Sequence, residues 1–155
     1  MSIAYVSATI EADIDTVWSV LHDFHGIDRW VGRIRSAEPE DGSGPAAVGS
    51  TRRLTMQPDG RVVRERLVHY DAPGHRYSYE FAGEQPFPVR AYRGTVHLLP
   101  VTLSGTTFVE WYGEFDCDAA VADRLTTAFT GIYAGFLDDL RAHLTGGMAP
   151  AGGAA

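Results

Sequence analysis

Two ionisable residues four apart, Glu65 and His69, lie in the run Val62 to Tyr70, where polar and apolar residues alternate as they do in a strand. At even spacing the two side chains share a face. A carboxylate beside an imidazole is the pairing that general acid/base chemistry uses, each group taking or returning a proton. The phenol of Tyr92 adds a donor suited to an enolate oxygen. Other reactive residues point less clearly to a site. His22, Asp23, His25 and Asp28 have metal-ligand spacing, but no recognisable motif supplies a further ligand, and the end of a surface helix accounts for them; no metal is expected. Cys117 is the single cysteine, which rules out an intrachain disulfide, and Asp116 and Asp118 give it the opposite of the positive surroundings a reactive thiol needs. All thirteen basic residues are arginine, so a lysine Schiff base and a phosphate loop built on lysine are both excluded. No cofactor is expected.

The elements that position these groups follow from periodicity. Val121, Leu125, Phe129, Ile132, Tyr133, Phe136, Leu137 and Leu140 recur at helical spacing, which predicts a helix over about Ala119 to Leu144. It is expected to start after Asp116 and Asp118 as caps and to stop at Gly146-Gly147. At 1.5 Å per residue it is ~40 Å long, too long to be an ornament on a small domain. Nearly everything before it reads as strand: Ile3 to Ile10, Ser50 to Met56, Arg61 to Asp71, Arg76 to Ala82, Arg90 to Val101 and Thr106 to Asp116. Pro58-Asp59-Gly60, Pro73-Gly74, Gly83 to Pro88 and Ser104-Gly105 separate the later strands. After the first strand, Asp13 or Asp15 caps a short helix carrying Val17, Trp18, Val20, Leu21 and Phe24, and a second helical turn ends in Trp30. The segment Glu38 to Val48 reads as a loop between short strands.

With 155 residues, 45% of them hydrophobic and 21% charged, the chain fits one domain with one core, over residues 1–145, and a flexible tail at 146–155. A net charge of −7 argues against nucleic acid or an anionic membrane as partner. No apolar run reaches the length of a membrane span and no leader opens the chain, so a cytoplasmic protein is expected, as a monomer or a homodimer.

One strand, two short helices, a meander and a long final helix together resemble the helix-grip superfamily. That superfamily includes START lipid-transfer domains, the birch-pollen allergen, plant hormone receptors and bacterial polyketide cyclase/dehydratases. The residues that carry the resemblance are Ala12-Asp13-Ile14-Asp15-Thr16-Val17-Trp18 with Trp30 after it, Arg64-Glu65-Arg66-Leu67, Pro88-Val89 with Tyr92-Arg93-Gly94-Thr95, and Glu110-Trp111. It implies an α+β fold in which a curved antiparallel sheet of six to seven strands grips the long helix, leaving an apolar cavity open at one end.

Strand parity indicates which residues face such a cavity. Burying Glu110 and Glu114 unpaired costs more than exposing Tyr112, so Val109, Trp111, Gly113 and Phe115 point inward. By the same argument Tyr92, Gly94, Val96 and Leu98 point inward, as do Tyr77, Tyr79 and Phe81. In Val62 to Tyr70 two buried arginines are the costlier choice, which turns Val63, Glu65, Leu67 and His69 inward and leaves Arg64 and Arg66 outside. With Phe129, Tyr133 and Phe136 from the helix, the lining is apolar and aromatic with a few polar groups, the mixture of a small-molecule site. Gly94 and Gly113 leave room for a ligand or let the sheet bend. Lost solvation there disfavours a charged Glu65 and suits it to proton shuttling.

Each residue also has a plainer reading. Glu65 can pair with an arginine across the sheet, His69 can face solvent near its strand end, and Trp111, Phe129 and Phe136 can simply pack. The segment Gly83 to Pro88, with Phe87 at its tip, is either a lid or a hairpin connection. Two functions are expected: a cofactor-free cyclase or dehydratase for a polyketide-like aromatic substrate, using Glu65, His69 and Tyr92, or a carrier or sensor of a small hydrophobic molecule or lipid.

Overall fold

Seven strands build one antiparallel sheet. A computed structural model describes residues 1–42 and 44–148. Its strands are β1 (Ser2–Ile10), β2 (Ile34–Pro39), β3 (Thr51–Met56), β4 (Val62–Asp71), β5 (Arg76–Phe81), β6 (Ala91–Val101) and β7 (Thr106–Asp116), in the spatial order β1-β7-β6-β5-β4-β3-β2. Helix α1 (Ile14–Leu21) and a 3-10 helix (Phe24–Arg29) follow β1, and α2 (Ala119–Met148) closes the chain. The architecture is the α+β helix grip, with α2 against the concave face of the sheet.

Local chemistry sets the boundaries. Asp13 caps α1, its carboxylate accepting from the Thr16 N–H at 2.8 Å. Val17 and Leu21 bury the inner side of that helix, and Trp18 packs on Tyr70, His75 and Tyr77. Asp116 and Asp118 serve α2 differently from the capping role expected of them. Both carboxylates bind Arg90, at 2.8 and 2.6 Å, which ties the start of β6 to the end of β7. Nor does α2 stop at Gly146-Gly147, since the helix runs on through both to Met148. Glycine inside a helix costs about 1 kcal/mol against alanine, a penalty but not a barrier. The rest of the expected tail, 149–155, lies outside the described residues. The expected loop from Glu38 is also shorter, because Glu38 and Pro39 pair with Arg53 and Arg52 in the edge strand β2.

The strand faces follow parity in β5, β6 and β7. Val109, Trp111 and Phe115 are buried, while Glu110, Tyr112 and Glu114 stand on the outer face. On that outer face Glu110 accepts from Tyr5 at 2.7 Å and meets His97 at 3.1 Å, and Arg93 pairs with Glu80. In β4 parity breaks. Leu67 opposes Tyr79 but His69 opposes Ser78, so Val68 is an extra residue, a bulge. Beyond it Tyr70, not His69, joins the inward set, opposing Tyr77 with the rings stacked at 6.0 Å.

From α2 Leu125, Phe129, Tyr133, Phe136, Leu137 and Leu140 are buried, and their rings meet Trp111 and Phe115 of β7 and Tyr92 of β6. The two inward glycines take part in this packing. A Cβ on Gly94 would stand 2.5 Å from Cζ of Tyr79, and one on Gly113 would collide with the Tyr133 hydroxyl. The room they leave is thus occupied by the protein's own tyrosines.

Gly113→Ala is therefore expected to push Tyr133 aside and to destabilise the fold by roughly 1–3 kcal/mol, the usual size for overpacking. Differential scanning calorimetry reads this as a Tm lowered by several degrees, with Gly131→Ala, an α2 position with open space around it, as the control. Equal Tm values for the two variants would contradict the packing described.

Candidate functional site

A cavity of about 390 Å³ lies between the sheet and α2. Its aromatic wall combines Tyr79 and Phe81 of β5, Tyr92 of β6, Phe87 of the 83–88 segment, and Phe129, Tyr133 and Phe136 of α2. The rest of the lining is apolar, from Ile34, Leu54, Met56 and Val63 of the strands and Ile132 of α2, and the rim carries the exposed Arg33, Gln57, Asp59 and Arg61. A volume of this order is typical of small-molecule sites.

Glu65 is the carboxylate of the inner wall. It is 8% exposed and lies directly across the β3–β4 pair from Arg52, which is 1% exposed. Arg52 donates from Nε at 2.9 Å and from Nη2 at 2.7 Å, both to Oε1, and from Nη1 to the Phe24 carbonyl. Its guanidinium also lies 3.9 Å from the centre of the Phe24 ring. Burial by itself would lower the Arg52 pKa, but the Glu65 charge and hydrogen bonds hold it above its ordinary value. Glu65 is thus compensated by an arginine across the sheet, the plainer of its two expected readings, and is not a lone desolvated carboxyl. Because both bonds use Oε1, Oε2 keeps its lone pairs for whatever occupies the cavity.

Three phenols share this lining. Tyr92 and Tyr133 join hydroxyl to hydroxyl at 2.5 Å, and the Tyr79 hydroxyl accepts from Nε1 of Trp111 at 2.9 Å. The Tyr92–Tyr133 bond uses one of its two protons, and Tyr79 spends none of its own on Trp111. Two O–H donors therefore remain beside one open carboxylate oxygen. Burial raises all three phenols well above the usual range, and the Glu65 charge adds to the rise, so they are donors at neutral pH and not bases.

His69 does not belong to this constellation. The bulge at Val68 turns it to the exposed outer face, which removes the expected imidazole partner of Glu65. Tyr77, Val96, Val109 and Trp111 do face inward but are buried in ring and aliphatic packing away from the cavity, and Gly94 lies under the Tyr79 ring. Arg52 carries little inward signal in the sequence. The one pointer to it is that Leu54 and Met56, at even spacing in β3, mark the inner face that it shares. Arg33 and Arg61 flank turns, where periodicity carries no signal. Arg61 donates to the Pro86 carbonyl at 2.5 Å and lies over the Phe87 ring at 5.3 Å, while Phe87 packs edge-on against Phe129 at 4.8 Å. The 83–88 segment is thereby fastened across the rim.

The His22 to Asp28 group has partners of its own. The Nδ1 of His22 meets the Ser19 carbonyl, Asp23 accepts from the His25 N–H and pairs with Arg29, and Asp28 accepts from the Ala37 N–H. Among the described residues no three His, Cys, Asp or Glu side chains come together as a metal set, and no helix is long and apolar enough to cross a membrane.

Residues 1–145 match the family described as polyketide cyclase/dehydrase and lipid transport. No curated protein matches the chain. Among solved structures, a protein from Nitrosospira multiformis is 30% identical with TM-score 0.76, over 92% of this chain and 95% of that one. Major latex-like protein 151 from Panax ginseng is 16% identical with TM-score 0.73, over 92% and 96%. The di-domain ARO/CYC BexL of the BE-7585A biosynthetic pathway is also 16% identical, with TM-score 0.76, over 91% of this chain and 45% of that one. The last two are similar in fold.

Two outcomes follow from this geometry. Arg52→Met leaves Glu65 buried without its counter-ion and is expected to cost about 3–5 kcal/mol in urea unfolding, whereas Arg52→Met with Glu65→Leu should recover most of the loss. A double variant as unstable as the single one would mean that the pair is not coupled as described. Alkaline stability tests the phenols. Burial raises Tyr77 to about 12, and Tyr79 and Tyr92 are raised as well, while the unfolded chain titrates near 10. The unfolded state then loses protons first, so the stability these groups contribute is intact below pH ~10 and falls between ~10 and ~12, by up to ~1.4 kcal/mol per pH unit for each phenol. Stability that stays flat across that window would contradict buried, protonated rings.

Proposed function

We propose that this chain, which belongs to the polyketide cyclase/dehydrase and lipid-transport family, binds a small hydroxylated aromatic molecule in the cavity between sheet and α2. One observation carries the reading: Oε2 of Glu65 is an open acceptor on a wall of aromatic rings. An apolar occupant gains from the rings and aliphatic wall at ~25 cal/mol per Å² removed from water. A hydroxyl on it would donate to Oε2, a bond to a charged acceptor of about 1.5–3 kcal/mol, and the phenolic donors would meet its carbonyl oxygens.

A second reading, catalysis, is favoured by the same oxygen. In a polyketide-like substrate Oε2 would take a proton from a carbon between two carbonyls, and the phenol left over from the Tyr92–Tyr133 bond would donate to the enolate oxygen that forms. The enolate carbon would then attack a ketone carbonyl further along the chain, and the alkoxide formed would recover the proton from Glu65. That scheme needs no cofactor and no His69. The family description and the name of BexL lend it support, while the loss of the imidazole partner favours simple binding.

Binding is tested with 2-naphthol and naphthalene, which differ by one hydroxyl. The wild type is expected to prefer 2-naphthol about tenfold, and folded Glu65→Gln, checked by circular dichroism, to lose most of that preference while naphthalene affinity stays within about twofold. Equal affinity of the wild type for both probes would overturn the role of Oε2. For catalysis, Glu65→Gln should lower kcat on a poly-β-ketone thioester by about 10²–10⁴. Product formation unchanged in that variant would leave binding as the only function.

A further inference from the structure

The cavity rim is basic in a protein whose net charge is −7. Of its charged side chains, Arg33 and Arg61 outnumber Asp59, whose Oδ1 already accepts from the Arg61 N–H at 3.0 Å. Inside, Arg52 and Glu65 balance each other. The surplus positive charge of the cavity therefore sits at its opening. Arg33 is held by its backbone, its carbonyl accepting from the Gln57 N–H at 2.9 Å and the preceding Gly32 carbonyl accepting from Nε2 of Gln57. Its guanidinium has no hydrogen-bond or ion-pair partner among the described residues. Arg61 spends one amine on Pro86 and keeps the remainder of its donor fork. Elsewhere on the surface Arg64, Arg90 and Arg93 pair with carboxylates while Arg35 and Arg66 have no such partner among the described residues, so what distinguishes Arg33 and Arg61 is their place on the cavity lining.

We infer that the ligand is amphipathic, with an aromatic body in the cavity and an anionic group, such as a carboxylate, sulfonate or phosphate, left at the rim on Arg33 and Arg61. This rests on the cavity being the binding site and adds the chemical class of what enters it. Guanidinium groups suit such anions because their planar fork bonds two oxygens at once. Exposure to solvent makes the contribution modest and sensitive to salt.

Two fluorescent probes with the same ring body test it, 1-anilinonaphthalene-8-sulfonate and the uncharged N-phenyl-1-naphthylamine, titrated into the full chain. At low ionic strength the sulfonate should bind about fivefold tighter than the neutral probe. That preference should shrink toward unity in Arg33→Gln and in 0.5 M NaCl, with neutral-probe affinity unchanged. Ile132→Trp, which places an indole in the cavity, should weaken both probes. A neutral probe that binds the wild type as tightly as the sulfonate, or Arg33→Gln weakening both alike, would overturn the anion site while leaving the cavity reading intact. Both probes binding Ile132→Trp as they bind the wild type would overturn the cavity reading itself.

Discussion

The buried ion pair between Arg52 and Glu65 is the constraint on which the site depends. Its partners face each other across β3 and β4, and the arginine also holds the Phe24 carbonyl at the start of the 3-10 helix. A one-residue slip between the strands would turn one partner to the outer face and leave the other buried without a counter-ion. The pair therefore locks the strand register at the place where the cavity needs a polar wall. It also orients Glu65, since both arginine bonds end on one carboxylate oxygen and the other is left for a guest.

Around that pair the interior divides into a filled part and an open part. Trp111, Phe115, Tyr77 and the α1 residues Val17 and Leu21 are buried in side-chain packing and do not line the cavity. Toward β2 and the start of β4 the lining changes to Ile34, Leu54, Met56 and Val63. Gly94 and Gly113 serve the filled part. By yielding space to the Tyr79 ring and the Tyr133 hydroxyl they let both phenols come close to the sheet, where Tyr133 reaches Tyr92 and Tyr79 reaches Trp111.

How much of this was legible differs from strand to strand, for physical reasons. In β7 the alternation of Glu110 and Glu114 with Trp111 and Phe115 leaves a single inexpensive orientation, and the fold has it. In β4 the same logic holds as far as Leu67 and then fails at Val68. A bulge there carries no glycine or proline to announce it, and one extra residue reverses every later side chain, taking His69 out of the cavity. The edge strand β2 is not legible in sequence because Ile34–Pro39 holds too few apolar residues for a period to appear, and its place is set by pairing with β3. Arg52 is not legible as an inward residue because an arginine ordinarily marks an outer face. Only knowing that Glu65 waits opposite makes its burial affordable. The rim arginines belong to turns and are brought to the cavity by tertiary structure alone.

The central claim is that a guest enters between the sheet and α2, against the open oxygen of Glu65. Methyl NMR of the selectively labelled chain, titrated with 2-naphthol, addresses it most directly, because ring currents report which side chains touch the ligand. The account predicts saturable shifts at the cavity methyls of Leu54, Met56, Val63 and Ile132, with Val17 and Leu21 on the buried side of α1 unchanged. Shifts confined to Val17 and Leu21, or to residues on the outer face of the sheet, would contradict it.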